Sequence, residues 1–364
     1  MNEKHSPATK IAVMIGQLPQ GGSERQLYAF LKHCDRERWD PIVYVGGGPV
    51  GFWDEHIREL GIPIKLLQGN PVMRMWKFRQ SCKANGIKCF FSWSAHTNRY
   101  GLALGLGARR IGSYRNAYRR NLHLRYGKLR AWLRLTSVST IVCNSEETAT
   151  AVRNHAGRSK RVVYIPNSVQ PVDDVESCRR SWRQQLRISE DETLILGVGR
   201  LDPQKNFGRF SDMVAHVHQA MPIKAVVAGR DDGCLQGLQK QVDLLGLDSN
   251  VMRFIGSVPD ARELMCAADI FVLSSDYEGM PNVVLEAMAA RVPCVCTHVN
   301  GVGALIDQGV TGFVTDHQAD DLAAKVLLLS KDKKLRAEMG ARAAKSIKAF
   351  KPETIAARMW ELCA

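Results

Sequence analysis

Four stretches carry the residue types that could do chemistry. In SSDYEGMPNVVLEAMAARVPCV (274–295), Glu278 sits in a loop after an apolar run, and Glu286 follows eight residues later. Pro281 is well placed to open the helix between them. The turn Gly279-Met280-Pro281-Asn282 would then present backbone N–H groups at a helix N-terminus, where an anion is stabilised. A carboxylate one to two turns into that helix can accept hydrogen bonds from a vicinal diol such as a ribose. Taken singly, Glu278 could cap the helix dipole and Glu286 could lie at the surface. As E-G-x-P-N-x-x-x-E-A they form a far more specific pattern. The second stretch is GVGRLDPQKN (197–206), where Gly197 and Gly199 allow close backbone approach and Arg200 and Lys205 follow five residues apart. Two cations above a glycine turn suit a diphosphate, Arg as a bidentate donor and Lys as a point charge. A nicotinamide fingerprint is the rival, but the third glycine and the acid about twenty residues on are missing. The third is Gly21-Gly22-Ser23-Glu24, a capped helix start open to a phosphate or acceptor, or an ordinary tight turn. The fourth is His96, after the apolar run FFSWS, either structural or at the ligand-binding end of a strand.

These residues need a scaffold that brings strand ends together. Short apolar runs at 10–16, 41–48, 62–67, 87–94, 108–116 and 138–145 alternate with helical stretches, among them a small-residue helix near Arg99–Leu106. The pattern restarts at 191–200 and continues at 223–230, 251–257, 269–275, 292–298 and 311–316. Such alternation predicts parallel, doubly wound sheets. With 364 residues and roughly 150 per domain, two domains are expected. The expected boundaries are 1–172 for a first Rossmann-like domain, 173–190 for a polar linker, 191–345 for a second such domain, and 346–364 for a C-terminal helix that returns to the first. In sheets of this kind ligands bind beyond the strand C-termini.

Composition narrows the partners. The net charge of +14 is confined to one half: residues 1–174 hold 27 Lys and Arg against 12 Asp and Glu. Between Leu60 and Ser145 there are sixteen basic residues and no acid. That asymmetry points to an anionic partner for the first half, with a solvated basic surface as the plain alternative. No apolar run reaches 18 residues, and the N-terminus MNEKHSPATK lacks the apolar core of a secretory signal. A cytoplasmic chain with reduced, structural cysteines is therefore expected.

Together the motifs resemble glycosyltransferase family 4, the retaining, nucleotide-sugar-dependent enzymes of GT-B fold found in bacterial cell-surface polysaccharide synthesis. The resemblance spans nearly the whole chain and is strongest from Leu194 to Val314. It implies an α/β GT-B architecture, two Rossmann-like domains facing a cleft. It also implies roles. Glu286 would hold the nucleotide ribose, and Glu278 would contact donor-sugar hydroxyls near the anomeric centre. Arg200 and Lys205 would neutralise the diphosphate, helped by backbone N–H groups of Gly279 to Asn282 (through Met280, beside Pro281) and of Gly22. His96 matches the family's first-domain histidine near the donor sugar, and the base pocket is expected from Phe254 to Val258. With Arg200 and Lys205 in place and no D-x-D spacing in the chain, no metal and no cofactor is expected, the nucleotide sugar (UDP favoured) being a co-substrate. The chain departs from the family pattern at Arg291, where a glycine is usual. It departs again at Asn167-Ser168, at Asn300-Gly301-Val302-Gly303-Ala304, which lacks the usual acid, and at Gly229-Arg230-Asp231-Asp232-Gly233.

In this family the first domain usually binds the acceptor, and here it is the basic one. RRNLHLRYGKLRAWLRL (119–135) has Leu122, Tyr126, Leu129 and Leu133 at helical spacing among cations. Arg119, Arg120, Arg130 and Arg134 are the candidates to meet an anionic membrane. A lipid-linked glycan acceptor and peripheral attachment to the inner face of the cell membrane follow as expectations. The alternatives are a soluble small-molecule acceptor and a non-catalytic nucleotide-sugar-binding homologue. Nucleic acid is not expected, because no recognition motif accompanies the charge.

Overall fold

The computed structural model describes residues 8–105, 107–117, 133–156 and 160–364. The chain divides into two compact units, Met1–Ser168 with Pro352–Ala364, and Val169–Lys351.

The first unit is built on seven parallel strands: β1 (Thr9–Ile15), β2 (Trp39–Val45), β3 (Ile64–Leu66), β4 (Cys89–Ser92), β5 (Arg109–Tyr114), β6 (Thr140–Cys143) and β7 (Arg161–Tyr164). Their order is β3-β2-β1-β4-β5-β6-β7. The strands are apolar runs because both sheet faces are covered. Ile11, Val13 and Ile15 of β1 face one cluster, and Ala12 and Met14 face the other. Helices α1 (Gly22–Lys32), α2 (Phe52–Glu59), α3 (Pro71–Ala84) and α4 (Glu146–Ala156) connect the strands. The stretch expected as a helix near Arg99–Leu106 is a 3-10 turn over Asn98–Ala103. Strand β7 was not expected, since the tetrapeptide RVVY is too short to stand out beside basic neighbours. The C-terminal helix Pro352–Trp360 belongs to this unit: the Trp360 ring stacks on Phe30 at 4.0 Å and its Nε1 donates to the Phe30 carbonyl at 3.0 Å.

The second unit has six parallel strands, β8 (Leu194–Val198), β9 (Lys224–Ala228), β10 (Met252–Phe254), β11 (Ile270–Leu273), β12 (Cys294–Thr297) and β13 (Gly312–Thr315), ordered β10-β9-β8-β11-β12-β13. Its helices are α5 (Val175–Leu186), α6 (Phe207–Ala220), α7 (Leu235–Leu244), α8 (Ala261–Met265), α9 (Asn282–Ala289), α10 (Ala319–Lys331) and α11 (Lys333–Ser346).

Helix α5 corrects the expected linker at 173–190. Asp174 caps it by accepting from Ser177 N at 2.9 Å. Val175, Cys178, Trp182 and Leu186 pack on the core of the unit, and guanidinium groups fasten the helix beside them: Arg179 and Arg183 reach Asp269 at 3.1 and 3.2 Å, and Arg183 also donates to the Ala267 carbonyl at 2.9 Å. With Arg183 buried as well, and four apolar residues spread among many charged and polar ones, a packed helix reads as a polar spacer.

The end of α9 explains the departure at Arg291. This residue has φ 62°, the left-handed conformation that a glycine adopts freely. A non-glycine residue pays roughly 1–2 kcal/mol there, partly offset by the chain entropy a glycine adds to the unfolded state. Arg291→Gly should therefore raise stability by about 0.5–1 kcal/mol, a rise in Tm of roughly 1–4 °C by circular dichroism.

Candidate active site

In the second unit β8 and β11 are neighbours in the sheet, so the loops leaving their C-terminal ends lie side by side. The first carries Arg200 to Asn206 and the second Ser274 to Glu278. They are fastened to each other: Asp276 N donates to the Gln204 carbonyl at 2.9 Å, Ser274 Oγ to the Lys205 carbonyl at 2.8 Å, and Arg209 to Asp276 at 2.8 Å. Within this frame Lys205 Nζ lies 2.6 Å from Glu278 Oε1. Ser275 Oγ donates to the same oxygen at 2.8 Å, and Gln204 Nε2 approaches Glu278 Oε2 at 3.3 Å. Glu278 is only 7% exposed. A buried carboxylate is tolerated when it is paired and hydrogen-bonded, and here three donors surround it.

The turn after Glu278 leads into α9, whose N-terminus has no side-chain cap and no acid in its first turn. Gly301, at φ +78°, is pressed against this turn. A Cβ there would lie 2.6 Å from the Gly279 carbonyl and 2.8 Å from the Met280 Cα. Gly279, Met280, Pro281 and Asn282 thus form a backed-up turn at a helix N-terminus, a place for an anion. Glu286, 5% exposed, lies in the second turn of α9. The Asp260 carboxylate, with Glu286 beyond it, holds Arg262 above its usual range.

The side chains of Arg200 and Lys205 have different partners, although the Lys205 N–H donates to Asp202 Oδ1 at 3.1 Å. Arg200, half exposed, pairs with Asp202 at 2.8 Å and with Asp232 at 3.1 Å. Arg230 and Arg200 together hold the Asp232 carboxyl below its usual range. Phe254 and Val258 are partly buried and pack on different clusters.

In the first unit His96 follows β4. Its ring lies over Gly16, where a Cβ would be 3.1 Å from Nε2. Part of its surface is open to solvent, yet the protein crowded around it, then Arg134 and Arg99, hold its pKa below 6.5. A depressed imidazole pKa stabilises the fold above 6.5, where both states are neutral, and that stability is lost as pH falls toward the folded value because the unfolded chain takes the proton first. His96→Asn should therefore show a smaller drop in Tm than the parent between about pH 7.5 and 5.5, measured by thermal melts.

Arg134 corrects one expectation. It is 7% exposed and faces inward near His96, so it does not present its charge to a membrane. Arg119, Arg120 and Arg130 lie outside the described residues. Gly22 begins α1 behind the cap Gly21, and the Glu24 carboxylate folds over Gly21. The indole of Trp93 donates to the Ser23 carbonyl at 2.9 Å, tying the α1 start to the end of β4.

Gln204, Ser275 and Arg115 were not singled out by sequence. The first two lie inside the motifs, one before Lys205 and three before Glu278, and their roles appear only when the loops meet. The guanidinium of Arg115 lies 3.7 Å over the Trp93 ring and donates to Asn167 Oδ1 at 3.3 Å, and burial pushes its pKa down to about 9.

Residues 20–172 match the family described as Glycosyltransferase Family 4, and residues 179–346 match Glycosyl transferases group 1. The chain belongs to glycosyltransferase family 4. It is 31% identical over 160 residues to the Vi polysaccharide biosynthesis protein VipC/TviE of Salmonella typhi, a match covering 43% of this chain and 27% of that protein. It is 27% identical over 359 residues, 94% of each chain, to the Campylobacter jejuni GalNAc-alpha-(1->4)-GalNAc-alpha-(1->3)-diNAcBac-PP-undecaprenol alpha-1,4-N-acetyl-D-galactosaminyltransferase. Among solved structures, Anabaena Alr3699/HepE in complex with UDP and glucose superposes with a TM-score of 0.82 at 22% identity, covering 97% of this chain and 98% of that one. The two parallel α/β domains of this family 4 chain have the GT-B fold. Among the described residues no helix is long and apolar enough to cross a membrane.

Proposed function

We propose that this chain transfers a hexosyl or N-acetylhexosaminyl group from a nucleotide diphosphate, UDP favoured, to a lipid-linked glycan at the inner surface of the cell membrane, with retention of configuration and without a metal ion. The observation that carries the reading is the Lys205–Glu278 pair, 2.6 Å apart, beside the uncapped start of α9. Breaking a glycosyl–phosphate bond leaves an oxocarbenium-like sugar and a diphosphate that gains negative charge. A fixed ammonium and helix N–H dipoles at the departing phosphate supply the main electrostatic stabilisation. Glu278 accepts hydrogen bonds from sugar hydroxyls, Glu286 from the ribose. The departing phosphate takes the acceptor proton on the same face, which keeps the configuration. The UDP and glucose of the Anabaena structure, and the undecaprenol diphosphate in the name of the Campylobacter relative, are in keeping with this reading.

A thermal-shift panel of UDP, GDP, ADP, CDP and TDP tests it. One nucleotide should stabilise the protein, by about 2.7 kcal/mol at a hundredfold excess over its Kd, and Arg200→Ala should abolish that shift. No shift with any of the five overturns the donor site as drawn.

A further inference from the structure

Helix α3 carries more apolar surface than its fold requires. Its inward face is already satisfied: Phe78 packs against the rings of Tyr44, Phe90 and Tyr100, with centroids 5.0 to 5.6 Å away, and Cys82 is buried beside it. The opposite face leaves Val72, Met73 and Trp76 at 79%, 43% and 56% exposure. At 100° per residue these three share one half of the helix with Lys77, Arg79 and Lys83, all exposed. The helix contains no acid, and none occurs from Leu60 to Ser145. A face shaped for solubility alone would mix both signs of charge and avoid an outward tryptophan. Apolar side chains interspersed with cations, with a tryptophan among them, match instead the boundary between acyl chains and anionic head groups. Beside this helix, exposed Leu66 and the half-buried Arg74 line a cavity of ≈ 290 Å³ at the ends of β2 and β3.

We propose that the outward face of α3 seats the chain on an anionic lipid bilayer, Val72, Met73 and Trp76 entering the interface and Lys77, Arg79 and Lys83 meeting lipid phosphates. This rests on the lipid-linked acceptor proposed above, and it places the bilayer contact on α3 rather than on residues 119–134.

Co-sedimentation of the full chain with phosphatidylcholine vesicles, with and without phosphatidylglycerol, tests it. The parent should bind only the phosphatidylglycerol vesicles, and less as salt is raised. Val72→Ser/Trp76→Ser and, separately, Lys77→Glu/Arg79→Glu should each weaken binding at least about tenfold. Because all four side chains are exposed, melting temperature and nucleotide-induced stabilisation should not change. Tryptophan quenching by brominated phosphatidylglycerol, present in the parent and reduced in Trp76→Phe, should agree. If both double variants bind like the parent while Arg119→Glu/Arg120→Glu/Arg130→Glu does not, α3 is overturned and the lipid-acceptor reading stands. If the parent binds neither vesicle, both fall together.

Discussion

Lys205→Met should lower kcat/KM for glycosyl transfer by about 10²–10³-fold, the usual consequence of removing one preorganised charge from a departing anion. The same change should destabilise the protein, because Glu278 is 7% exposed and would keep only Ser275 and Gln204 as donors. Breaking a mostly buried pair from one side costs about 3–5 kcal/mol, a fall in Tm of roughly 6–20 °C for a unit of this size. The two effects can be separated. Lys205→Met/Glu278→Gln removes the orphaned charge while keeping the shape and one acceptor oxygen, with the amide able to donate to the Ser275 hydroxyl, so its Tm should return most of the way to the parent's. Its activity should stay at or below that of the single variant, since the cation at the phosphate is still missing and the carboxylate that binds the sugar hydroxyls has gone as well. Steady-state transfer assays with parallel melts decide the matter. Recovery of activity together with stability would mean that Lys205 serves only to hold Glu278.

Much of this site could be read in the sequence because the sheets are parallel. A parallel strand buried on both faces is a plain apolar run, so β8 to β13 stand out, and the residues just after each run lie at the ligand-binding edge. Glu278, Lys205 and Arg200 were found in that way. The relation between them was not: that Lys205 meets Glu278 while Arg200 turns to Asp202 and Asp232 depends on how two loops cross, which spacing does not encode. Helix α5 reads as a spacer because its apolar stripe, Val175, Cys178, Trp182 and Leu186, is diluted by charged residues, one of which, Arg183, is itself buried. Arg134 misled in the opposite direction. A cation in a basic amphipathic stretch reads as surface, yet it is buried beside His96, where its charge helps to keep the imidazole neutral. In each case an arginine guanidinium was taken into the interior, where sequence patterns place apolar side chains.

The glycine at 301 is where the family pattern is kept although the acid that usually follows it has been lost, and the structure gives a reason. Its φ of +78° is left-handed, and its Cα faces the turn that begins α9, with the Gly279 carbonyl 2.6 Å from where a Cβ would stand. Gly301→Ala therefore meets two penalties, backbone strain of roughly 1–2 kcal/mol and overpacking of roughly 1–3 kcal/mol against main chain that cannot rotate away. Stability should fall by about 2–5 kcal/mol, a lowering of Tm by roughly 4–20 °C. Activity should fall further than stability alone accounts for, because the relief available is a shift of Gly279 and Met280, which carries the N–H groups away from the phosphate. A misplacement of about 1 Å in such a turn can cost on the order of 10²-fold in rate. Gly303→Ala, two residues on with nothing within 4 Å of its Cβ position and an ordinary φ, is the matched control and should leave both Tm and kcat near the parent values. Equal losses in the two variants would show that the loop as a whole, rather than the approach of Gly301 to the α9 turn, supports the site.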